Sequence, residues 1–289
     1  MQGLGCRIRW GLALSLLVSL GLAGDAQAVA LDVNGSTTVA PVVVSAAERL
    51  AAEAGLEIRV DTQGGSSGGI AALGRGRVDV AMSSRPLTAG DRERYPNVDF
   101  RPVRIGTDAV ALVVSPDVWH GGVRALTREQ VQGIYERRIT NWRALGGSDR
   151  PIVFFNKEPG RGTWEVFAHW LYGKASAAPL VSHREVGSNE EARTKVAGTR
   201  GGITQLSAAW ADGERVFALA LIEAEGTTLR PDALSIANGS YPMARPLLVV
   251  TNGPPRPAAQ QLIDFLLGER GRRLVLGNGY LAPDVAAGP

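Results

Sequence analysis

One unit recurs along this chain: a short apolar strand, a loop of glycines and hydroxyls, then a helix. "ALDV" runs into "NGSTT" and a helical stretch from about Pro41. "LEIRV", alternating as a strand does, runs into "QGGSSGG" and "IAALGRG", and "RVDVAM" runs into "SSRPLT". Further on, "PIVFF" leads through "NKEPGRG" to "TWEVFAHWLYG", and "SHREV" leads to "GSNEEARTKVA". This alternation predicts an α/β fold. In open α/β sheets the loops at the carboxyl ends of the strands share one rim, where ligands bind. Between these units "DAVALVVSP" reads as a longer buried strand ended by Pro116. In "LTREQVQGIYERR", Thr127 and Gln130 form a capping box, with Leu126 and Val131 as a hydrophobic staple. Ser188 and Glu191 fit a second capping box, "ITNW" is a loop and "GGIT" a short strand. "ARPLLVVTN" and "AAQQLIDFLLGERGRRLVL" read as a strand followed by helices. No Gly/Ser linker separates the halves. The expectation is two α/β lobes sharing a cleft, with the C-terminal segment returning to the first lobe.

The N-terminus stands apart. Arg7 and Arg9 precede the apolar run "WGLALSLLVSLGLAG", and Ala26-Gln27-Ala28 fits a small-x-small cleavage site. Residues 1–28 therefore read as a cleaved secretory signal, which places the protein in the periplasm or outside the cell. Cys6, the only cysteine, lies in that leader, so neither a disulfide nor thiol chemistry is expected. The net charge of +3 is carried by scattered arginines, which excludes a nucleic-acid stripe. Lysines are rare, only Lys157, Lys174 and Lys195. His120, His169 and His183 lack metal-ligand spacing, so no metal and no cofactor is expected.

The loops carry the chemistry. Helix N-termini expose unpaired N–H groups and partial positive charge, and so bind anions. Such entrances occur at Thr37 and Thr38, at Ser66 and Ser67, and at residues 160–163. "MSSR" adds two more hydroxyls at a strand end, and Lys157 and Arg161 flank the third entrance. Each hydrogen bond to an anion contributes about 1.5–3 kcal/mol, so a handful reaches the roughly 8 kcal/mol of micromolar affinity. Each feature alone has a plainer explanation: a helix cap, a flexible turn, a solvated charge. The run Trp164, Phe167, Trp170 and Leu171 reads as core.

The ordered set "NGSTTVAPV", "QGGSSGGI", "VDVAMSSRPL", "LTREQVQGIYERRITNW", "NKEPGRGTWEVF", "GSNEEA" and "YPMARPL" resembles the phosphate-binding proteins of ABC-type phosphate importers. The resemblance runs through nearly the whole mature chain in the same order. It implies a type II periplasmic-binding-protein fold, with mixed sheets flanked by helices and two crossing hinge strands. The expected lobes are 29–115 with 240–289, and 116–239. It also implies a monomer that holds inorganic phosphate, or a similar oxyanion such as sulfate, arsenate or molybdate, and docks on an ABC permease and ATPase complex. Carried over by position, Thr37 and Thr38 supply hydroxyl and backbone donors, Ser66 a hydroxyl and its N–H, and Gly162 and Thr163 donate from the other lobe. Three positions depart from the pattern. Ser84 stands where well-known members place an aspartate that accepts the proton of hydrogen phosphate, although many relatives also carry "SSR" here. Lys157 stands for an arginine, keeping the charge and losing the bidentate fork. Arg161 stands for a serine, and its guanidinium offers a bidentate grip instead. Where relatives read Gly-Ala-Ile-Gly-Tyr, this chain has "GGITQL".

Two other readings compete. "GSSGG" also satisfies Gly-x-Ser-x-Gly, the nucleophile elbow of a serine hydrolase. Ser67 would then be the nucleophile, with His169 or His183 as base and Asp108 or Asp149 between them. The same fold could also serve a secreted phosphate scavenger or sensor uncoupled from a transporter.

Overall fold

The computed structural model describes residues 30–283; the expected signal peptide and its cleavage site lie outside them. In chain order the first part comprises β1 (Leu31–Gly35), α1 (Ala40–Ala54), β2 (Ile58–Asp61), α2 (Gly65–Gly74), β3 (Val80–Ser83), α3 (Ala89–Arg94) and β4 (Phe100–Val114). The middle comprises α4 (Pro116–His120), β5 (Ala125–Thr127), α5 (Arg128–Tyr135), β6 (Val153–Lys157), α6 (Gly162–Tyr172), β7 (Arg184–Val186), α7 (Asn189–Ala197) and β8 (Gly202–Ser207). There follow β9 (Phe217–Ala218), β10 (Ala220–Ile222), β11 (Thr228–Leu229), α8 (Ala233–Ala237), β12 (Ala244–Asn252), α9 (Pro257–Leu267) and α10 (Glu269–Gly277).

The strands form a mixed sheet in the order β2-β1-β3-β12-β4-β8-β6-β7, with β9 also on β4, and β11-β10-β5 form a small separate sheet. β4 joins the two halves. Phe100 to Ala109 pairs antiparallel with β12, and Val110 to Val114 pairs antiparallel with β8. The chain thus leaves one half along β4 and re-enters it in β12, immediately after Tyr241 and Met243, which lie in the second half's core.

Each half has apolar layers on both faces of its sheet. In the first, Leu31, Val33, Leu247 and Val249 pack under α1, α9 and α10, while Ala81, Leu248 and Val250 face Ile70 and Leu73 of α2. In the second, the period of two in β4 sorts residues cleanly. Val110, Leu112 and Val114 face Val131, Trp142 and Phe167; Ala111 and Val113, beside Leu206 of β8, face Ala192 and Val196. Phe167 and Leu171 are buried as their spacing predicts.

Local signals account for most helix starts. Thr127 and Gln130 form the expected box, each side chain accepting the other's backbone N–H. Removing that cap by Thr127→Ala should cost about 1 kcal/mol in urea unfolding and leave ligand binding unchanged. Ser188 Oγ likewise accepts the Glu191 N–H, but the Glu191 carboxylate reaches one residue further back than expected, to the N–H of Gly187. A larger difference concerns "QGGSSGG", read as a loop. α2 begins inside it, at Gly65, because Gly64 and Gly65 adopt φ of +76° and +60°, conformations only glycine takes at little cost. Gly69 then allows α2 to lie against β1: a β-carbon there would come within 2.4 Å of the Asn34 carbonyl oxygen.

Candidate anion site between the lobes

The β1–α1 turn is built by Ser36, whose Oγ accepts the N–H groups of both Thr38 and Val39. With the cap supplied one residue earlier than Thr37, the threonines are released from that task. At the entrances to α2 and α6 no side chain caps the helix at all. Among the described residues, the backbone N–H groups of Thr37, Ser66, Gly162 and Thr163 find no acceptor in the protein. All four border a single small cavity. Its wall is completed by Ser36, Thr38, Gly65, Ser84, Lys157, Arg161 and Gly187. Every residue singled out as a site candidate — Thr37, Thr38, Ser66, Ser84, Lys157, Arg161, Gly162 and Thr163 — therefore borders one space. Three come from the entrances to α1 and α2, one from the end of β3, and four from β6 and the entrance to α6. No carboxylate is among the lining residues.

The sequence reading missed the residue beneath this cavity. Arg245, at the second position of β12, is 2% exposed and pairs with Asp108 of β4, itself 3% exposed. Its Nε and Nη2 donate to Asp108 Oδ2 at 3.0 and 2.7 Å. The remaining donors fan out to hydroxyls from both lobes: Nη1 to Thr163 Oγ1 at 2.9 Å and Ser84 Oγ at 3.3 Å, Nη2 to Thr38 Oγ1 at 3.2 Å. Thr38 Oγ1 also accepts from Asn189 Nδ2 at 3.1 Å. A hydroxyl has two acceptor positions and one proton. With both acceptor positions of Thr38 filled, its proton is the group left to donate. Arg245 thus fills acceptor positions on hydroxyls from both lobes, while Asp108 neutralises the guanidinium charge. The available signal was an arginine inside "ARPLLVV" and an aspartate heading "DAVALVV", two charges in otherwise apolar runs.

Lys157 is 1% exposed, and its Nζ donates to the carbonyls of Gly187 (3.0 Å) and Ser188 (2.6 Å). Burial first, then the Arg161 and Arg245 charges, push its pKa down to about 7. Arg161 borders the cavity, but its guanidinium is spent on Glu158 and on the Thr62 carbonyl, across the cleft at 3.2 Å. Arg85 does not line the cavity. It is buried and tied to Asp91, to Glu165 of α6 and to Ser67 Oγ at 2.9 Å. With the Ser67 N–H to the Gly160 carbonyl at 3.0 Å, these contacts bind the two lobes together around the site.

The hydrolase constellation does not assemble. Ser67 Oγ donates to Glu165, and no histidine bonds it among the described residues. His183 is bonded to the Tyr135 carbonyl, Asp149 to Asn141 and Arg143, and Asp108 to Arg245 and Ser207. None of the residues of "GGITQL" lines the cavity.

Two α/β lobes that converge helix N-termini on one small polar cavity are the architecture of a bilobal solute-binding protein. The chain belongs to the PBP superfamily, whose domain matches residues 23–270. The phosphate-binding protein PstS of Bacillus subtilis is 27% identical over 253 residues, covering 87% of this chain and 80% of that protein. PstS of Borreliella burgdorferi is 26% identical, covering 87% and 89%. Among solved structures, an ABC-type phosphate transport receptor from Vibrio cholerae superposes with a TM-score of 0.70 at 28% identity, covering 88% of this chain and all of that one. A Clostridium perfringens substrate-binding protein solved with bound phosphate superposes with a TM-score of 0.77 at 27% identity, over the same shares.

Proposed function

We propose that this protein is the extracytoplasmic receptor of an ABC-type phosphate importer, a non-enzymatic protein that captures inorganic phosphate between its lobes. The observation that carries this reading is the convergence of four unpaired N–H groups from both lobes, with Lys157, on one cavity without a carboxylate. Desolvating an ion costs several kcal/mol. Four N–H donors, the Thr38 and Thr163 hydroxyls and an ammonium offset that cost at about 1.5–3 kcal/mol each. The names of the relatives supply the identity of the anion and the transporter. The lobes run from 29 to 115 with 240 to 289, and from 116 to 239. The hinge is β4 together with the entry to β12, where pairing changes partner between Ala109 and Val110. Because donors come from both sides, phosphate closes the lobes. Export follows cleavage after Ala28, into the periplasm.

The test is titration calorimetry with phosphate on the stripped mature protein and on Lys157→Ala/Arg161→Ala. The double variant removes both side-chain cations bordering the site and should weaken binding by about 100-fold or more, roughly 2.7 kcal/mol. Unchanged affinity would refute the assignment of these charges.

A further inference from the structure

Lys157 has a feature that simple charge attraction does not explain. Its ammonium is buried with no carboxylate within 4 Å among the described residues. Two of its three N–H positions are fixed on the Gly187 and Ser188 carbonyls, and it borders the cavity. The charged groups around it are committed elsewhere. Glu158 in the following loop holds Arg161, Asp108 of β4 holds Arg245 of β12, and Glu191 of α7 accepts the Gly187 N–H. Two guanidinium groups raise the cost of a third positive charge, and the carboxylates of Glu191 and Glu158, both more than 4 Å away, offset it only in part.

We propose, resting on the phosphate reading of the site, that Lys157 is a proton-exchanging binding residue: the filled site carries an ammonium facing a dianion, and that proton is taken from solution or from the arriving phosphate. With the lobes closed as here, the amine titrates near pH 7. The second ionisation of phosphate also lies near neutrality. A neutral amine that meets a monoanion can take its proton, giving an ammonium and a dianion with no net gain or loss. The complex therefore has one proton inventory, whichever partner supplies the proton. Below neutrality both free partners are protonated, and binding releases one proton. Above neutrality both are deprotonated, and binding takes one up. Affinity should then rise about tenfold per pH unit towards neutrality and fall about tenfold per unit beyond it. An arginine at this position stays charged throughout, so it would keep the rising limb and lose the falling one.

Calorimetry of the stripped protein with inorganic phosphate, at pH 6 and pH 8 in buffers of contrasting ionisation enthalpy, counts these protons. The expected result is release of close to one proton at pH 6 and uptake of close to one at pH 8. Lys157→Arg should release one at pH 6 and take up none at pH 8. Lys157→Met should bind more weakly and also take up none at pH 8. Phosphate binding by the native protein without uptake at pH 8, or the same uptake by either variant, would overturn the proposal and leave the phosphate site standing. Absence of phosphate binding by the native protein at both pH values would overturn the site reading and this inference together.

Discussion

Arg245→Met should destabilise the protein by about 3–5 kcal/mol, the cost of leaving a buried carboxylate without its partner. Asp108 is 3% exposed, and its other hydrogen bond comes from Ser207, a neutral hydroxyl that cannot balance the charge. Arg245→Met/Asp108→Leu removes both charges and should recover most of that loss, since well-packed apolar replacements of buried pairs are often close to neutral. Phosphate affinity should not recover. Thr38, Thr163 and Ser84 lose the donor that orients their hydroxyls, so binding by the double variant should stay at least about 100-fold weaker than native. Urea unfolding and calorimetry on the two variants separate these effects. Native-like binding by the double variant would reduce Arg245 to a structural pair.

Gly162→Ala should weaken binding strongly while sparing the fold. A β-carbon at Gly162 would lie 2.5 Å from Ser66 Oγ and 2.7 Å from Ser84 Oγ, across the cavity on the other lobe. Neither the φ of Gly162 nor its place in the first turn of α6 opposes alanine. The methyl group therefore occupies ligand space and wedges the lobes apart. The expected loss is about 1,000-fold or more in phosphate affinity, roughly 4 kcal/mol, with a melting temperature close to native in the absence of ligand. Gly277→Ala, at a glycine with open space around it, serves as the control. Native affinity in Gly162→Ala would mean that the cavity is not where the ligand sits.

Much of this arrangement is written in local sequence, and the remainder shows where local reading stops. The strand–loop–helix rhythm places β1, β2, β3, β6 and β7 and the rim above them, because alternating apolar residues and capping side chains act within a few residues of themselves. β12 matches "ARPLLVVTN" residue for residue. The first half of β4 escaped notice. "FRPVRIG" is half exposed, carries a proline and arginines, and becomes a strand only by pairing with β12, some 150 residues away. The start of α2 at Gly65, inside the stretch read as a loop, escaped for a related reason: its glycines are poor helix formers, and tertiary contact with β1 and Arg161 decides their place. Arg245 was invisible as a site residue because its meaning depends on Asp108, 137 positions earlier. The Arg161 contact with the Thr62 carbonyl, 99 positions away, was equally beyond local reading, although its pairing with Glu158 is local.

The central claim is that donors from both lobes close on one anion, and a crystal structure of the protein grown with inorganic phosphate tests it directly. The account predicts one phosphate in the cavity, with the N–H groups of Thr37, Ser66, Gly162 and Thr163 and the Nζ of Lys157 within hydrogen-bond distance. A phosphate held by one lobe alone, or an empty cavity in crystals with phosphate bound elsewhere on the surface, would contradict it.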